Sequence, residues 1–222
     1  MTEGTFSQLP KLGLGTYRMT GSRCQAAVER ALALGYRHID TGQMYANEVD
    51  VGAGLAASGL SRQAYFLTGK VCHALATPDE ARAALDETLR GLRTDYLDLC
   101  LLHWPRAGLD IPGILDMLAR AQQDGKTRLI GVANFPLRLL RMAVEEIGAP
   151  IVCNQIEYHV LLDQTPILTM SWTLRLLTPP SSPSASAARS AASLVSVLPT
   201  AAGRRARRRW RCCSGPHRLV PR

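Results

Sequence analysis

The sequence of 222 residues predicts an α/β fold in which short strands alternate with amphipathic helices and form a parallel sheet. Three observations lead to this prediction: short β-rich runs, helical periodicity between them, and a spacing of roughly 25 to 30 residues between successive units. The predicted strands lie at 12–16, 36–41, 65–71, 96–103, 127–133 and 151–155. The chain is therefore expected to contain six βα units.

The helices between these strands carry start and stop signals of their own. Thr77 precedes Pro78, and Glu80 follows three residues after the threonine, which is the pattern of a capping box with proline at the first helical position. Apolar residues at helical spacing predict another helix that ends before Gly125, and a further helix is predicted over 136–148. After Met170 the alternating pattern stops.

Composition also divides the chain at about residue 170. The net charge is +8, but residues 171–222 hold ten arginines and no acidic residue, so residues 1–170 carry a net charge of −2. Residues 171–222 form a low-complexity tail rich in Arg, Ser, Ala and Pro, which we interpret as disordered or translated out of frame. The alternative is a basic arm that binds nucleic acid through 204–211. We favour the first interpretation and expect no nucleic-acid partner.

Several classes of protein are disfavoured by what the sequence lacks. No apolar run approaches the roughly 18 residues of a membrane span, and the first ten residues show no signal-peptide pattern, so a cytoplasmic protein without a membrane partner is expected. The six cysteines show no C-x-x-C spacing or paired ligand clusters. Neither a disulfide framework nor a metal site is predicted.

Three polar residues fall at the C-terminal ends of different predicted strands: Asp40, Lys70 and His103. Barrel enzymes and open α/β sheets both place active sites at this end. Taken singly, each residue also has a purely structural interpretation. Asp40 could cap a turn, Lys70 could be a solvated strand end, and His103 could be a core histidine. Together with Tyr45 they predict acid–base chemistry, because a lysine ammonium lowers the pKa of a nearby phenol and lets it donate a proton near neutral pH. Asp40 would hold Lys70, and His103 would hydrogen-bond a carbonyl oxygen as negative charge develops there.

Seven motifs in order resemble those of the aldo-keto reductase family, and within it the bacterial diketogluconate reductases. They are GLGTY at 13–17, GYRHIDT at 35–41 with Tyr45, Asn47 and Glu48 after it, TGKV at 68–71, DYLDL at 95–99, LHWP at 102–105, GVANF at 131–135 and NQIEYH at 154–159. The resemblance implies that residues 1–170 are the N-terminal portion of a (β/α)8 TIM barrel, of which the first six βα units are recognisable. The family's last two βα units are not found in 171–222, so we expect two unpaired sheet edges.

The resemblance also implies an activity: reduction of a small aldehyde or ketone by NADPH, with NADH as the alternative cofactor, by a chain that is monomeric if it folds. Implied site residues are the catalytic Tyr45, Lys70, Asp40 and His103; the substrate-binding Tyr17, Trp104 and His103; and the cofactor-binding Thr16, Asp40, Asn134 and Gln155. Two alternatives stay open. The chain is a catalytically inactive truncated reductase in the first, and an interaction protein that uses its basic tail in the second.

Overall fold

The computed structural model of the chain describes residues 9–72, 77–159, 161–174, 176, 180–181 and 193–196. The strands are β1 (Leu12–Gly15), β2 (His38–Asp40), β3 (Phe66–Val71), β4 (Leu97–Leu102), β5 (Thr127–Ala133), β6 (Ile151–Glu157), β7 (Pro180–Ser181) and β8 (Ser193–Ser196). The α-helices are α1 (Gly21–Ala33), α2 (Glu48–Ala57), α3 (Pro78–Leu92), α4 (Ile111–Gln123), α5 (Leu137–Arg141) and α6 (Thr165–Thr173). Short 3-10 turns occupy Gln43–Tyr45 and Arg62–Ala64.

Strands β1 to β6 lie side by side in chain order, and every neighbouring pair among them is parallel. The register brings Gly15 opposite Asp40, and Asp40 opposite Thr68. With helices between the strands, the sheet curls into half of a barrel, and the C-terminal ends of all six strands share one rim. The predicted α/β fold with six βα units is confirmed.

Both edges of this six-stranded sheet meet a short strand from the tail. Strand β7 pairs in parallel with β6, and β8 pairs antiparallel with β1 from Leu12 opposite Ser196 to Gly15 opposite Ser193. The expectation of two unpaired edges is therefore wrong, because edge N–H and C=O groups can pair with any extended backbone whatever its side chains. Helix α6 continues into the predicted tail as far as Thr173, and Leu176 is buried in the core. The remaining residues of that tail, including 204–211, lie outside the described residues.

The sheet buries apolar side chains on both of its faces. On the concave face, Phe66, Leu99, Leu101 and Cys153 form the inside of the curl with Leu9. On the convex face a larger cluster packs the strands against the helices, with Ile39, Leu67, Leu85 and Leu115 among its fully buried members. Because side chains alternate along a strand, Thr68 and Lys70 lie on the same concave face as Phe66.

Helix boundaries follow local hydrogen bonds. At the start of α3, Thr77 Oγ1 accepts a hydrogen bond from Glu80 N (3.2 Å) and Glu80 Oε2 accepts one from Thr77 N (3.1 Å), so the capping box forms as predicted. The helix predicted over 136–148 is α5 followed by a π-helical turn at Met142–Glu146. Among the described residues, none of the helices has the length and apolar content to cross a membrane.

Candidate active site

The four residues predicted to carry chemistry meet at the C-terminal rim of the sheet. Asp40 is the last residue of β2, Lys70 lies next to the end of β3, and His103 directly follows β4. Tyr45 closes the 3-10 turn Gln43–Tyr45 that leads from β2 to α2. Neighbouring parallel strands therefore bring residues far apart in sequence to one place.

Lys70 is the centre of the hydrogen-bond network. Its side chain is buried, with 2% exposure, and its Nζ donates to Asp40 Oδ1, to Thr41 O at 3.0 Å and to Tyr45 Oη at 3.2 Å. All three ammonium hydrogens are thus engaged. Burial acts to lower the pKa of Lys70, but the charge of Asp40 and the contact with Tyr45 outweigh it and raise that pKa. Lys70 is therefore a buried cation.

Asp40 is held through both its side chain and its backbone. Its Oδ1 accepts from Lys70, and its Oδ2 accepts a hydrogen bond from Gln155 Nε2 at 2.9 Å. Thr16 reaches the backbone carbonyl of Asp40 through its N–H (2.9 Å) and through Oγ1 (3.1 Å). The carboxylate is consequently fixed between β3 and β6, across the inside of the curl.

The pKa of Tyr45 moves in the direction opposite to the one expected from the sequence. Burial raises the pKa of its phenol, and the opposing effect of the Lys70 ammonium is smaller, so the pKa lies above its ordinary value. Tyr45 thus keeps its proton at neutral pH. The contribution of Lys70 has the expected sign, since its charge favours the phenolate left after the proton is given away.

Two rings pack against the ring of Tyr45. The imidazole of His103 meets the Tyr45 ring edge-on with centroids 5.5 Å apart, and the Tyr17 ring lies 5.1 Å from that of Tyr45. Trp104 stands beside His103 at 6.5 Å. Tyr17 is 50% exposed and Trp104 is 45% exposed, so both rings form the open rim above the buried tetrad.

The residues predicted to hold the cofactor line the same rim, on β1, β5 and β6. Thr16 directly follows β1, and Gln155 is fully buried against Asp40. Asn134 follows β5 with a left-handed backbone (φ 61°), and its Nδ2 donates to the carbonyl oxygen of His103 at 3.0 Å. All the predicted site residues are thereby brought together, and their individual roles remain predictions.

Two groups of neighbouring residues escaped the sequence reasoning. His38 and Thr68 lie one layer below the tetrad, where His38 Nε2 is 2.9 Å from Thr68 Oγ1 and burial lowers the pKa of His38 to about 4. Each stands two residues before a predicted site residue, so strand alternation could have found them. Gln43 and Asn47 stand two residues before and after Tyr45. Asn47 belongs to the family motif that follows Asp40, but no chemical signal in the sequence assigns either amide a task beside Tyr45.

The chain is similar to known proteins over most of its length. The family described as "Aldo/keto reductase family" matches residues 11–173. Methylglyoxal reductase DkgB of Salmonella typhi is 39% identical over 163 residues, which are 72% of this chain and 61% of that protein. The chain thus spans about three fifths of the length of such curated relatives.

Solved structures agree with the sequence relatives. An aldo/keto reductase from Brucella melitensis superposes with a TM-score of 0.73 at 34% identity and covers 77% of this chain and 67% of that one. The Bombyx mori aldo-keto reductase in complex with NADP gives a TM-score of 0.71 at 32% identity, covering 78% of this chain and 62% of that one.

Proposed function

The chain belongs to the aldo/keto reductase family, and on this premise we propose that it reduces an aldehyde or ketone to an alcohol with NADPH. One observation carries the proposal: Lys70 Nζ, neutralised by Asp40, donates a hydrogen bond to Tyr45 Oη at 3.2 Å. A phenol held beside a buried cation is a proton donor whose conjugate base is stabilised where it forms.

Tyr45 transfers its phenolic proton to the substrate oxygen. Because the pKa of Tyr45 is raised by burial, the hydroxyl is protonated before the reaction and ready to donate. The negative charge that remains on Tyr45 Oη then lies within hydrogen-bond distance of the Lys70 ammonium. Asp40 keeps Lys70 charged and holds it in place through their buried ion pair.

His103 orients the substrate next to Tyr45. Its ring edge faces the Tyr45 ring, so a carbonyl oxygen that accepts the Tyr45 proton also lies near the imidazole. The half-exposed rings of Tyr17 and Trp104 exclude water from that oxygen once a substrate is bound. This arrangement favours small carbonyl compounds with an apolar or flat face.

The described residues fit the nicotinamide end of the cofactor. Polar side chains of Asn134, Gln155 and Thr16 gather at the rim beside Asp40. NADPH bound there supplies the hydride that goes to the carbonyl carbon. Asn134 and Gln155 would bind the carboxamide, and Thr16 with Asp40 would line its nearer edge. NADH is the alternative cofactor.

The substrate class follows from the relatives. The matched Salmonella protein is named for the reduction of methylglyoxal, a small compound with adjacent aldehyde and ketone groups. Because the chain spans about three fifths of that relative, both the activity and the substrate are proposals for this protein. A cytoplasmic location and a monomeric state are likewise predictions.

The test is NADPH consumption with methylglyoxal by the full 222-residue chain and by Tyr45→Phe. We expect the substitution to lower kcat by roughly 100-fold or more, the usual contribution of a positioned proton donor. Tyr96→Phe is the matched control: the Tyr96 hydroxyl is buried without a hydrogen-bond partner at the opposite end of β4, so its removal leaves kcat unchanged.

Three results separate the alternatives. Turnover that survives in Tyr45→Phe rules out the proton-donor role. A folded wild-type chain that neither binds nor consumes NADPH supports the inactive truncated reductase. Retention on duplex DNA at 0.2 M salt would instead favour the interaction protein with a basic tail.

A further inference from the structure

Two amide side chains flank the Tyr45 turn at equal distances in sequence. Gln43 stands two residues before Tyr45 and Asn47 two residues after it, and both are tied to strands other than their own. We propose that Gln43 and Asn47 are positioning residues that hold Tyr45 Oη against Lys70 Nζ. The proposal rests on the proposed function, since it assigns a task within the same proton transfer.

Asn47 fixes the C-terminal side of the turn. It is 1% exposed, and its Nδ2 donates to the carbonyl oxygens of Thr16 and Met19, each at 2.8 Å. Its Oδ1 accepts a hydrogen bond from Thr41 Oγ1 at 3.0 Å. Both amide hydrogens are used, and one side chain thereby joins the segment after β1 to the segment after β2.

Gln43 fixes the N-terminal side of the turn to different elements. Its Oε1 accepts a hydrogen bond from Cys72 N at 2.7 Å, just beyond β3, and its Nε2 donates to Thr88 Oγ1 at 3.1 Å on α3. Thr88 Oγ1 in turn donates to Glu48 Oε2 at 3.2 Å, at the start of α2. The turn is thus tied to the strand that carries Lys70.

The backbone of the turn between the two amides includes an unfavourable conformation, so it needs contacts from outside the turn. Ala46 has a left-handed conformation (φ 52°), which costs an alanine about 1 kcal/mol. The turn's own bonds are Tyr45 N to Gly42 O (2.9 Å) and Ala46 N to Gln43 O (3.1 Å). The hydrogen bonds of Gln43 and Asn47 to neighbouring elements therefore determine where the phenol stands relative to Lys70.

The position of the phenol matters because the Lys70–Tyr45 contact is already long. At 3.2 Å it is near the upper end for a hydrogen bond, so a small outward shift of the turn breaks it. A displacement of about 1 Å at a reacting group can cost roughly 100-fold in rate. Loss of the contact also weakens the effect of the Lys70 charge on the phenol and changes the burial of its ring, so the pKa of Tyr45 should move from its wild-type value.

The experiment uses the full chain labelled with 13Cζ-tyrosine, in which Tyr45 is identified among the six tyrosines by its absence in Tyr45→Phe. Gln43→Ala and Asn47→Ala are compared with wild type by NMR titration of the phenols. Gln122→Ala is the control, because its amide also hydrogen-bonds a backbone carbonyl (Arg128 O, 2.7 Å), but at the far end of α4. We expect the pH at which Tyr45 titrates to shift in both variants and to be unchanged in Gln122→Ala.

Kinetics give the second readout. In both variants kcat should fall by roughly 10- to 100-fold while KM and the dissociation constant of NADPH stay within about twofold. Adding Gln43→Ala to Tyr45→Phe should lower kcat no further, because the amide acts through the phenol. A general structural role would instead lower the activity of both backgrounds alike.

The outcomes decide the proposal whether or not the chain is active. A folded Gln43→Ala whose Tyr45 titrates as in wild type overturns it, as does an additive loss of kcat in the Tyr45→Phe background. If Asn47→Ala does not fold, Gln43→Ala, whose amide is only half-buried, carries the decision. A wild-type chain without turnover contradicts the proposed function, while the titration still tests the positioning of Tyr45.

Discussion

At the scale of single residues, both carboxylate oxygens of Asp40 are engaged, and its negative charge compensates the buried Lys70 cation. One oxygen accepts from Lys70 and the other from Gln155, while both charged side chains are buried. A buried ion pair adds little net stability over an apolar pair, but a buried charge left alone is costly. The carboxylate is therefore needed for folding as well as for the proposed proton transfer.

Replacement of Asp40 by asparagine should leave Lys70 charged and uncompensated inside the protein. We expect Asp40→Asn to lower the free energy of unfolding by about 3 kcal/mol, measured by urea denaturation. Asp116→Asn is the control, since Asp116 pairs with Arg120 at 2.9 Å on the surface with both side chains more than half exposed. The loss there should stay below about 1 kcal/mol, and equal losses in the two variants would contradict the prediction.

Two further residues should make stability depend on pH in opposite senses. Burial lowers the pKa of His38 to about 4, so below its ordinary value of 6.5 the unfolded chain takes up a proton that the folded chain refuses, and stability falls from pH 6.5 toward 4. Burial raises the pKa of Glu48 to about 7, so the folded chain holds a proton more tightly and stability falls as pH rises from 4.5 through 7.

The variant Glu48→Gln separates the two effects. A glutamine mimics the protonated acid, so the variant should be more stable than wild type at pH 8, and the difference should shrink to nothing below pH 4.5. Urea denaturation at pH 8, 6 and 4.5 measures this, and the decline in the stability of the variant between pH 6 and 4.5 reports His38. A constant difference across this range would show that Glu48 does not titrate as described.

At the scale of elements, the helices approach one another closely at glycines. A Cβ built on Gly54 of α2 would lie 2.7 Å from Gln25 O and 2.8 Å from Val28 Cβ, both on α1. A Cβ on Gly91 of α3 would be no closer than 3.5 Å to any neighbour, which is an ordinary contact. The close packing of helices α1 and α2 therefore requires a residue without a Cβ at position 54.

Gly54→Ala should force α1 and α2 apart, because the backbone oxygen of Gln25 cannot move without α1. We expect a loss of about 1 to 3 kcal/mol in the free energy of unfolding, the usual cost of overpacking. Gly91→Ala is the matched control in the neighbouring helix, and should be neutral or stabilising by about 0.5 kcal/mol because alanine favours a helix. A Gly54→Ala chain as stable as wild type would contradict the close contact.

Element positions were predictable where side chains determine them. The capping box predicted the start of α3 because Thr77 and Glu80 make its bonds themselves. Strand β2 begins at His38 instead of residue 36, and just before it the Arg37 guanidinium donates to the carbonyl oxygens of Leu32 and Tyr36. The π-helical turn after α5 follows from backbone bonds that no residue type signals.

At the scale of the whole molecule, the sequence predicts the rim and its four polar residues because parallel strands always bring their C-terminal ends together. It does not predict the strands β7 and β8 at the edges, which pair through backbone groups alone. Nor does it predict the direction of the Tyr45 pKa shift, since that direction depends on how deeply the fold buries the ring. The residues of the candidate site could thus be predicted from the sequence, whereas the direction of the Tyr45 pKa shift could not.

The full engagement of Lys70 has a consequence for reactivity toward electrophiles. The sequence contains three lysines, Lys11, Lys70 and Lys126, and an amine condenses with an aldehyde only when it is deprotonated and accessible. The Lys70 amine is neither, while Lys11 is exposed and Lys126 pairs with Asp86 at 2.6 Å. The fold thus keeps the amine beside Tyr45 unreactive, and of the three lysines we expect Lys11 to be the one that condenses with an added dicarbonyl compound.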